Sequence, residues 1–258
     1  MRLAGRLHLL WWRLRLQARK SSLLRELVRR IRGMMPDTRE RHLKGEVEFW
    51  RKWMATEGLS WPEDYRRRMD PSLPIEPYLA AVIDRLPRQS IDLLDVGSGP
   101  LSAVGKLHST KSVRITATDV LAPEYNELLD EFGIVPIVRT QFAEAEKLRS
   151  SLGERQFDIV HAVNSLDHSA DPVAGIEEML AMVRAGGFIV LLHEENEGMN
   201  ELYFALHKWD FSSRAGHFLI SGPGPRGGTR DVTELLSGRG DVDCSVDDGN
   251  ILVVIQKL

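Results

Sequence analysis

Between residues 91 and 193 the chain alternates short apolar runs with amphipathic stretches, and no other feature limits its fold so tightly. The runs are IDLLDV, VRITATD, IVPIV, FDIVHAV and FIVLLH, with helical segments such as NELLDEF and GIEEMLAMV between some of them. Short runs rich in Val, Ile and Leu read as strands buried on both faces, and helical spacers return the chain for the next parallel strand. The C-terminal end breaks the pattern. VDCSV and ILVVIQKL are separated only by DDGN, whose Gly and Asn suit a tight turn, so an antiparallel hairpin closes the chain. The expectation is an α/β fold with a mostly parallel sheet, a reversed last strand and helices on both faces.

Upstream of this region the composition changes. Residues 1–32 carry ten basic side chains against Glu26 alone, a local charge of +9, although the whole chain is −3. Apolar residues in LHLLWWRLRLQARKSSLLRELVRRIR fall at helical spacing with arginines on the other face, and no run approaches the ~20 residues of a membrane span. This basic amphipathic helix suits an anionic membrane surface, docking on its own domain, or a homo-oligomer contact. The acidic remainder disfavours nucleic acid, which is gripped by Lys and Arg. GMMPD ends the helix, and residues 33–89 read as a helical cap containing an apolar stripe of Phe49, Trp50, Trp53 and Met54. Residues 90–258 form the main domain, with a long aromatic-rich insertion at about 196–230 that reads as a lid. The single Cys244 excludes an internal disulfide, and a cytoplasmic setting is expected.

The first apolar run leads directly into Asp95-Val96-Gly97-Ser98-Gly99-Pro100. Glycines at a strand-to-helix turn let the backbone approach a ligand beside free amide groups. A third glycine, wanted by the dinucleotide fingerprint, is missing, and no Gly-Lys-Ser/Thr follows to make a phosphate-binding loop. Asp119 closes the second run, where a carboxylate can accept both hydroxyls of a ribose.

These residues resemble the class I S-adenosylmethionine-dependent methyltransferases, whose fold is Rossmann-like with a seven-stranded sheet. LLDVGSGP is similar to the first motif of that family and ATD to its acidic second-strand end. Glu144-Ala145-Glu146-Lys147-Leu148 resembles the segment that meets the adenine, FDIVHAVNSLDHSADP the fourth-strand segment, and AGGFIVLLHE the fifth strand. The resemblance implies a cofactor over Asp95, Gly97, Ser98 and Gly99. Its ribose would lie at Asp119 and Val120, its adenine near Glu144 and Ala145, with Asn164 on the opposite wall; S-adenosylhomocysteine would be the product.

A hydroxyl acceptor needs a base or a metal, whereas an amine needs only to be unprotonated. Asp167-His168 and His193 follow the fourth and fifth runs, which open on the cofactor, and supply candidate catalytic groups. Asn164 to His168 also resembles the E-x-x-E-H metal segment of two O-methyltransferase groups, with Asn and Asp replacing the glutamates. That implies a divalent site, Mg²⁺ for instance, from Asp167, His168 and His193 or His207. The reading is an O-methyltransferase of a sugar, glycan or small-molecule natural product. An N- or C-methyltransferase and a non-catalytic scaffold of the same fold are the alternatives.

Overall fold

The computed structural model describes residues 38–222 and 228–258. The basic segment 1–32 and the membrane or oligomer contacts expected of it lie outside the described residues. Among the described residues no helix is long and apolar enough to cross a membrane.

Among the described residues, three helices precede the sheet: α1 (Arg39–Ala55), α2 (Pro62–Met69) and α3 (Pro77–Arg85). Thr38 caps α1 by accepting from Arg41 N–H, and the helix stops before Gly58, which holds a φ of +111°. Pro62 and Pro77 open the next two helices, where a missing N–H costs nothing.

The strands are β1 (Ser90–Val96), β2 (Ser112–Asp119), β3 (Gln141–Phe142), β4 (Phe157–Val163) and β5 (Val183–Glu194). Helices α4 (Ala122–Glu131), α5 (Leu148–Leu152) and α6 (Pro172–Met182) connect them. Asp171 caps α6, accepting from the amides of Val173 and Ala174, so the chain leaves the fourth-strand loop at a fixed angle. After β5 come α7 (Glu197–Asn200), a small sheet of β6 (Asp210–Arg214), β7 (His217–Ser221) and β8 (Arg230–Asp231), then α8 (Val232–Leu235). The expected hairpin, β9 (Gly240–Asp247) and β10 (Asn250–Lys257), ends the chain.

The main sheet has seven strands in the order β3-β2-β1-β4-β5-β10-β9, with β10 antiparallel to both neighbours and the remaining pairs parallel. This is the mostly parallel Rossmann-like sheet expected from the sequence. Chain order reverses between β1 and β4, and in such sheets the loops leaving the two strands diverge to open a crevice at their carboxyl ends. Asp95 and His161 face each other in register across that boundary.

Three apolar clusters hold the layers. One packs α6 and the β6–β7 hairpin on one sheet face through Ile176, Met179, Phe211 and Phe218. A second packs α3 on the other face through Leu79, Val82 and Ile83. The third joins α1 to α4 through Trp53, Met54, Tyr125 and Leu128.

One expected strand is absent. IVPIV is irregular, and the third strand is instead the short Gln141–Phe142. Pro136 has no N–H for a ladder, and Val135 is 83% exposed, so this apolar run lacks both the hydrogen bonds and the burial of a strand.

Candidate active site

A cavity of about 330 Å³ opens where β1, β2 and β4 end. Its floor is the turn after β1. Gly97 and Gly99 hold φ angles of +68° and +66°. A Cβ on Gly97 would lie 2.4 Å from Ser165 Cβ, and one on Gly99 would lie 3.0 Å from the Trp50 ring. Only glycine satisfies both the backbone angle and the close approach.

Asp119 stands at the end of β2. It accepts hydrogen bonds from Gly99 N–H at 3.0 Å and Leu121 N–H at 2.9 Å. Burial pushes its carboxyl up to about 6, against these two amide donors and with help from the neighbouring Glu46 charge. Asp95 lies deeper. One oxygen accepts from Ser102 Oγ at 2.7 Å, and the other meets His161 Nδ1 at 3.0 Å. The second nitrogen of His161 meets Tyr78 Oη at 2.9 Å. Sequence reasoning missed His161 and Tyr78; the available signal was a histidine inside a strand that is otherwise apolar.

All the expected cofactor residues, Asp95, Gly97, Ser98, Gly99, Asp119, Val120, Glu144, Ala145 and Asn164, line this cavity. Several are also tied within the protein. Glu144 pairs with Lys147 at 3.0 Å, and Asn164 Oδ1 accepts from Glu194 N–H at 3.1 Å.

The three expected catalytic groups separate. His168 lines the cavity. Asp167 sits behind it, buried, with one oxygen 2.8 Å from His207 Nδ1 and 3.4 Å from His168 Nε2. His168 Nε2 is in turn 3.2 Å from His207 Nδ1, and Glu197 approaches the same His207 nitrogen at 3.2 Å. Burial would raise the Asp167 carboxyl, but the His168 and His207 rings hold it below its ordinary value. Burial would lower His207; the Asp167 and Glu197 carboxylates prevail and raise it to about 9. His193 does not join them. It is buried away from the cavity, edge-on to Phe211 at 4.5 Å, with no hydrogen-bond partner at either nitrogen. Burial pushes its ring down to about 4.

Of the expected residues, Asp167, His168 and His207 have ligand atoms within 4.8 Å of one another, and His193 is not among them; His217, Asp231 and Glu234 form a second such grouping. The insertion after β5 brings His207 back onto the 3₁₀ turn Leu166–His168.

The aromatic wall also differs from the expected one. Within the insertion, Phe211 and Phe218 are core residues, Tyr203 hydrogen-bonds Asp210, and Trp209 donates to Ser169 O. Among the described residues of that segment, only Leu206 reaches the cavity. Its outer wall is built instead from Leu43, Phe49, Trp50 and Trp53 of α1 and from Trp61, Asp64 and Arg68 at α2. The apolar stripe of α1 is thus divided. Trp53 and Met54 are buried, while Phe49 and Trp50 are only partly covered and Trp53 touches both core and cavity.

The family model described as a methyltransferase domain matches residues 94–191, which span β1 to β5. The glycine turn and Asp119 lie within the matched segment. Among solved structures, the chain is similar to the citrinin polyketide synthase CMeT domain at 18% identity and TM-score 0.49, covering 69% of this chain and 50% of that one. It is also similar to the CurJ carbon methyltransferase at 18% identity and TM-score 0.46, covering 68% and 50%. A third is an S-adenosylmethionine-dependent methyltransferase from Clostridium acetobutylicum, at 11% identity and TM-score 0.42, covering 70% and 89%. The chain spans half the length of the first two.

Proposed function

We propose that this chain transfers the methyl group of S-adenosylmethionine to a hydroxyl of a sugar, glycan or small-molecule natural product. The observation that carries the reading is that His168 lines the same cavity as Asp119 and the glycine turn. When bound, the cofactor supplies a methyl carbon made electrophilic by its sulfonium. Asp119 receives its ribose, the open backbone at Gly97 and Gly99 admits it, and Glu144 and Ala145 border the adenine. The acceptor lies beneath Phe49, Trp50 and Trp61, whose rings suit an apolar or ring-shaped body. His168 would take the proton of the acceptor hydroxyl as its oxygen receives the methyl group that the cofactor supplies. Asp167 and His207 hold its ring in place. Bringing the two reactants together in a covered cavity supplies much of the rate.

A second reading, with the hydroxyl activated by a divalent cation such as Mg²⁺, is favoured by one observation. Asp167 Oδ1 and Glu197 Oε2 are buried without a hydrogen-bond partner beside the three-residue grouping. Carboxylate oxygens with imidazole nitrogens form a donor set that suits such an ion. Asp167, His168 and His207 would hold it, and the ion would lower the pKa of a bound hydroxyl. The basic segment 1–32 supplies a contact for an anionic membrane surface or for a second copy of the chain, in a cytoplasmic setting.

The test uses methyl-labelled S-adenosylmethionine, purified full-length protein and a fractionated cell extract, with and without a chelator. Label entering base-stable ether linkages in the glycan or small-molecule fraction supports O-transfer. Label entering only amines or carbon, or a His168→Ala variant of full activity, overturns it. Loss of activity with chelator, restored by Mg²⁺, selects the second reading.

A further inference from the structure

Helix α1 contributes an acidic residue to the cavity that neither the glycine turn nor the β2 carboxylate explains. Glu46 lines the space shared by Gly99, Asp119 and Tyr125. Its position is fixed by Trp50, whose Nε1–H donates to Glu46 Oε1 at 3.0 Å one helical turn away. Trp50 packs edge-on to Tyr125 at 6.2 Å and so close to Gly99 that a Cβ there would lie 3.0 Å from its ring. Gly99 N–H in turn donates to Asp119 Oδ2 at 3.0 Å. A continuous set of contacts, Glu46 to Trp50 to Gly99 to Asp119, therefore brings both carboxylates to one end of the cavity. The helix is anchored there by an Arg51–Glu131 ion pair to α4 and by Arg39 Nη1 donating to His168 O at 3.3 Å.

The electrostatics of this end are unbalanced. Among the described residues, the side-chain partner of Glu46 is an indole N–H and the partners of Asp119 are two backbone amides; no Lys or Arg pairs with either carboxylate. The Glu46 charge adds to burial in disfavouring ionised Asp119. His168 opposes the Glu46 charge at Asp119 but pairs with neither carboxylate, so a ligand that brings hydrogen-bond donors suits this end. The S-adenosylmethionine reading provides them: a ribose presents two adjacent hydroxyls.

We propose that Glu46 is a second ribose-binding carboxylate, so that Asp119 accepts one hydroxyl of the cofactor and Glu46, held by Trp50, accepts the other. This rests on the reading of the cavity as the cofactor site. Helix α1, which lies outside the matched methyltransferase segment, then completes the cofactor pocket as well as roofing the acceptor. The arrangement makes the site specific for an intact 2′,3′-diol, since removing either hydroxyl leaves one carboxylate without its donor.

The experiment is a binding cycle by titration calorimetry on the full-length protein. The ligands are S-adenosylhomocysteine and its 2′-deoxy and 3′-deoxy analogues, with wild type, Glu46→Gln and Trp50→Phe. Glu46→Gln is expected to weaken S-adenosylhomocysteine about tenfold or more, the scale of one charge-assisted hydrogen bond. For one of the deoxy analogues the same substitution should change affinity by less than about twofold, because the partner hydroxyl is already gone. Trp50→Phe, which frees the Glu46 carboxylate, should give a smaller loss with the same dependence on that hydroxyl. Equal weakening of all three ligands by Glu46→Gln, or no weakening of any, overturns the assignment. A wild-type protein that does not bind S-adenosylhomocysteine overturns the cofactor reading itself, so the two failures are distinguishable. Unchanged melting temperatures establish that the variants are folded.

Discussion

The titration of Asp119 gives the site a pH signature. Burial raises this carboxyl to about 6, well above the ordinary Asp value. A ribose hydroxyl donates to the ionised form, whereas the protonated form has lost acceptor capacity and presents its own hydrogen. Binding therefore favours ionised Asp119, and apparent affinity falls as pH drops through 6 in the free protein. If only the ionised form binds, the apparent Kd scales as one plus the ratio of protonated to ionised carboxyl. Lowering the pH from 7 to 5 then weakens binding about tenfold. The α-amino and α-carboxyl groups of the ligand titrate outside this window and contribute little slope. Calorimetric titration of S-adenosylhomocysteine at half-unit steps, at constant ionic strength, reads the effect directly. Asp119→Asn should bind more weakly at pH 7 and lose the slope. A wild-type affinity that is flat from pH 7 to 5, or an equal slope in Asp119→Asn, would refute the argument that this carboxylate is the titrating ribose acceptor.

Three further outcomes follow from the geometry. Gly97→Ala places a methyl against Ser165 at an angle disfavoured for Ala. It should cost about 2–5 kcal/mol, seen as a melting temperature lower by roughly 5–15 °C. His168→Ala should reduce the methyl-transfer rate by about 10²–10⁴-fold while leaving S-adenosylhomocysteine affinity unchanged; parallel loss of both would make His168 a cofactor contact instead. His193→Leu removes two buried nitrogens that have no partners. It should stabilise the fold or leave it unchanged, where removal of a buried hydrogen-bonded group would cost about 1–3 kcal/mol, and turnover should persist; loss of activity at intact stability would return His193 to the mechanism.

The sheet was legible because its strands announce themselves locally. LLDV, FDIVHAV and FIVLL are buried almost throughout, so near-continuous apolar composition and strand structure coincide. IVPIV misled because composition alone does not register that Pro136 lacks a donor, or that nothing packs over Val135. The residues at the cavity floor were legible for a related reason: Asp95, Gly97, Gly99 and Asp119 sit at strand ends, where sequence position and spatial position agree. The acceptor side was not. His207 reaches Asp167 across 40 residues, and His161 reaches Tyr78 across 83, so no spacing rule links them. His193 shows the converse error. It ends a strand beside the site, but the strand's side-chain alternation turns it toward Phe211 and away from the cavity. Likewise, the aromatic residues of the insertion have the composition of a binding lid, and burial against the sheet makes Phe211 and Phe218 core.

The central claim is that the cavity over Gly97 and Gly99, closed by Asp119, holds the methyl donor. Isothermal titration of full-length protein with S-adenosylhomocysteine, set beside Asp119→Ala, tests it most directly. The account requires saturable one-to-one binding by the wild type and a large loss in the variant at unchanged melting temperature. An absence of binding in folded wild-type protein, or equal affinity in Asp119→Ala, would contradict it.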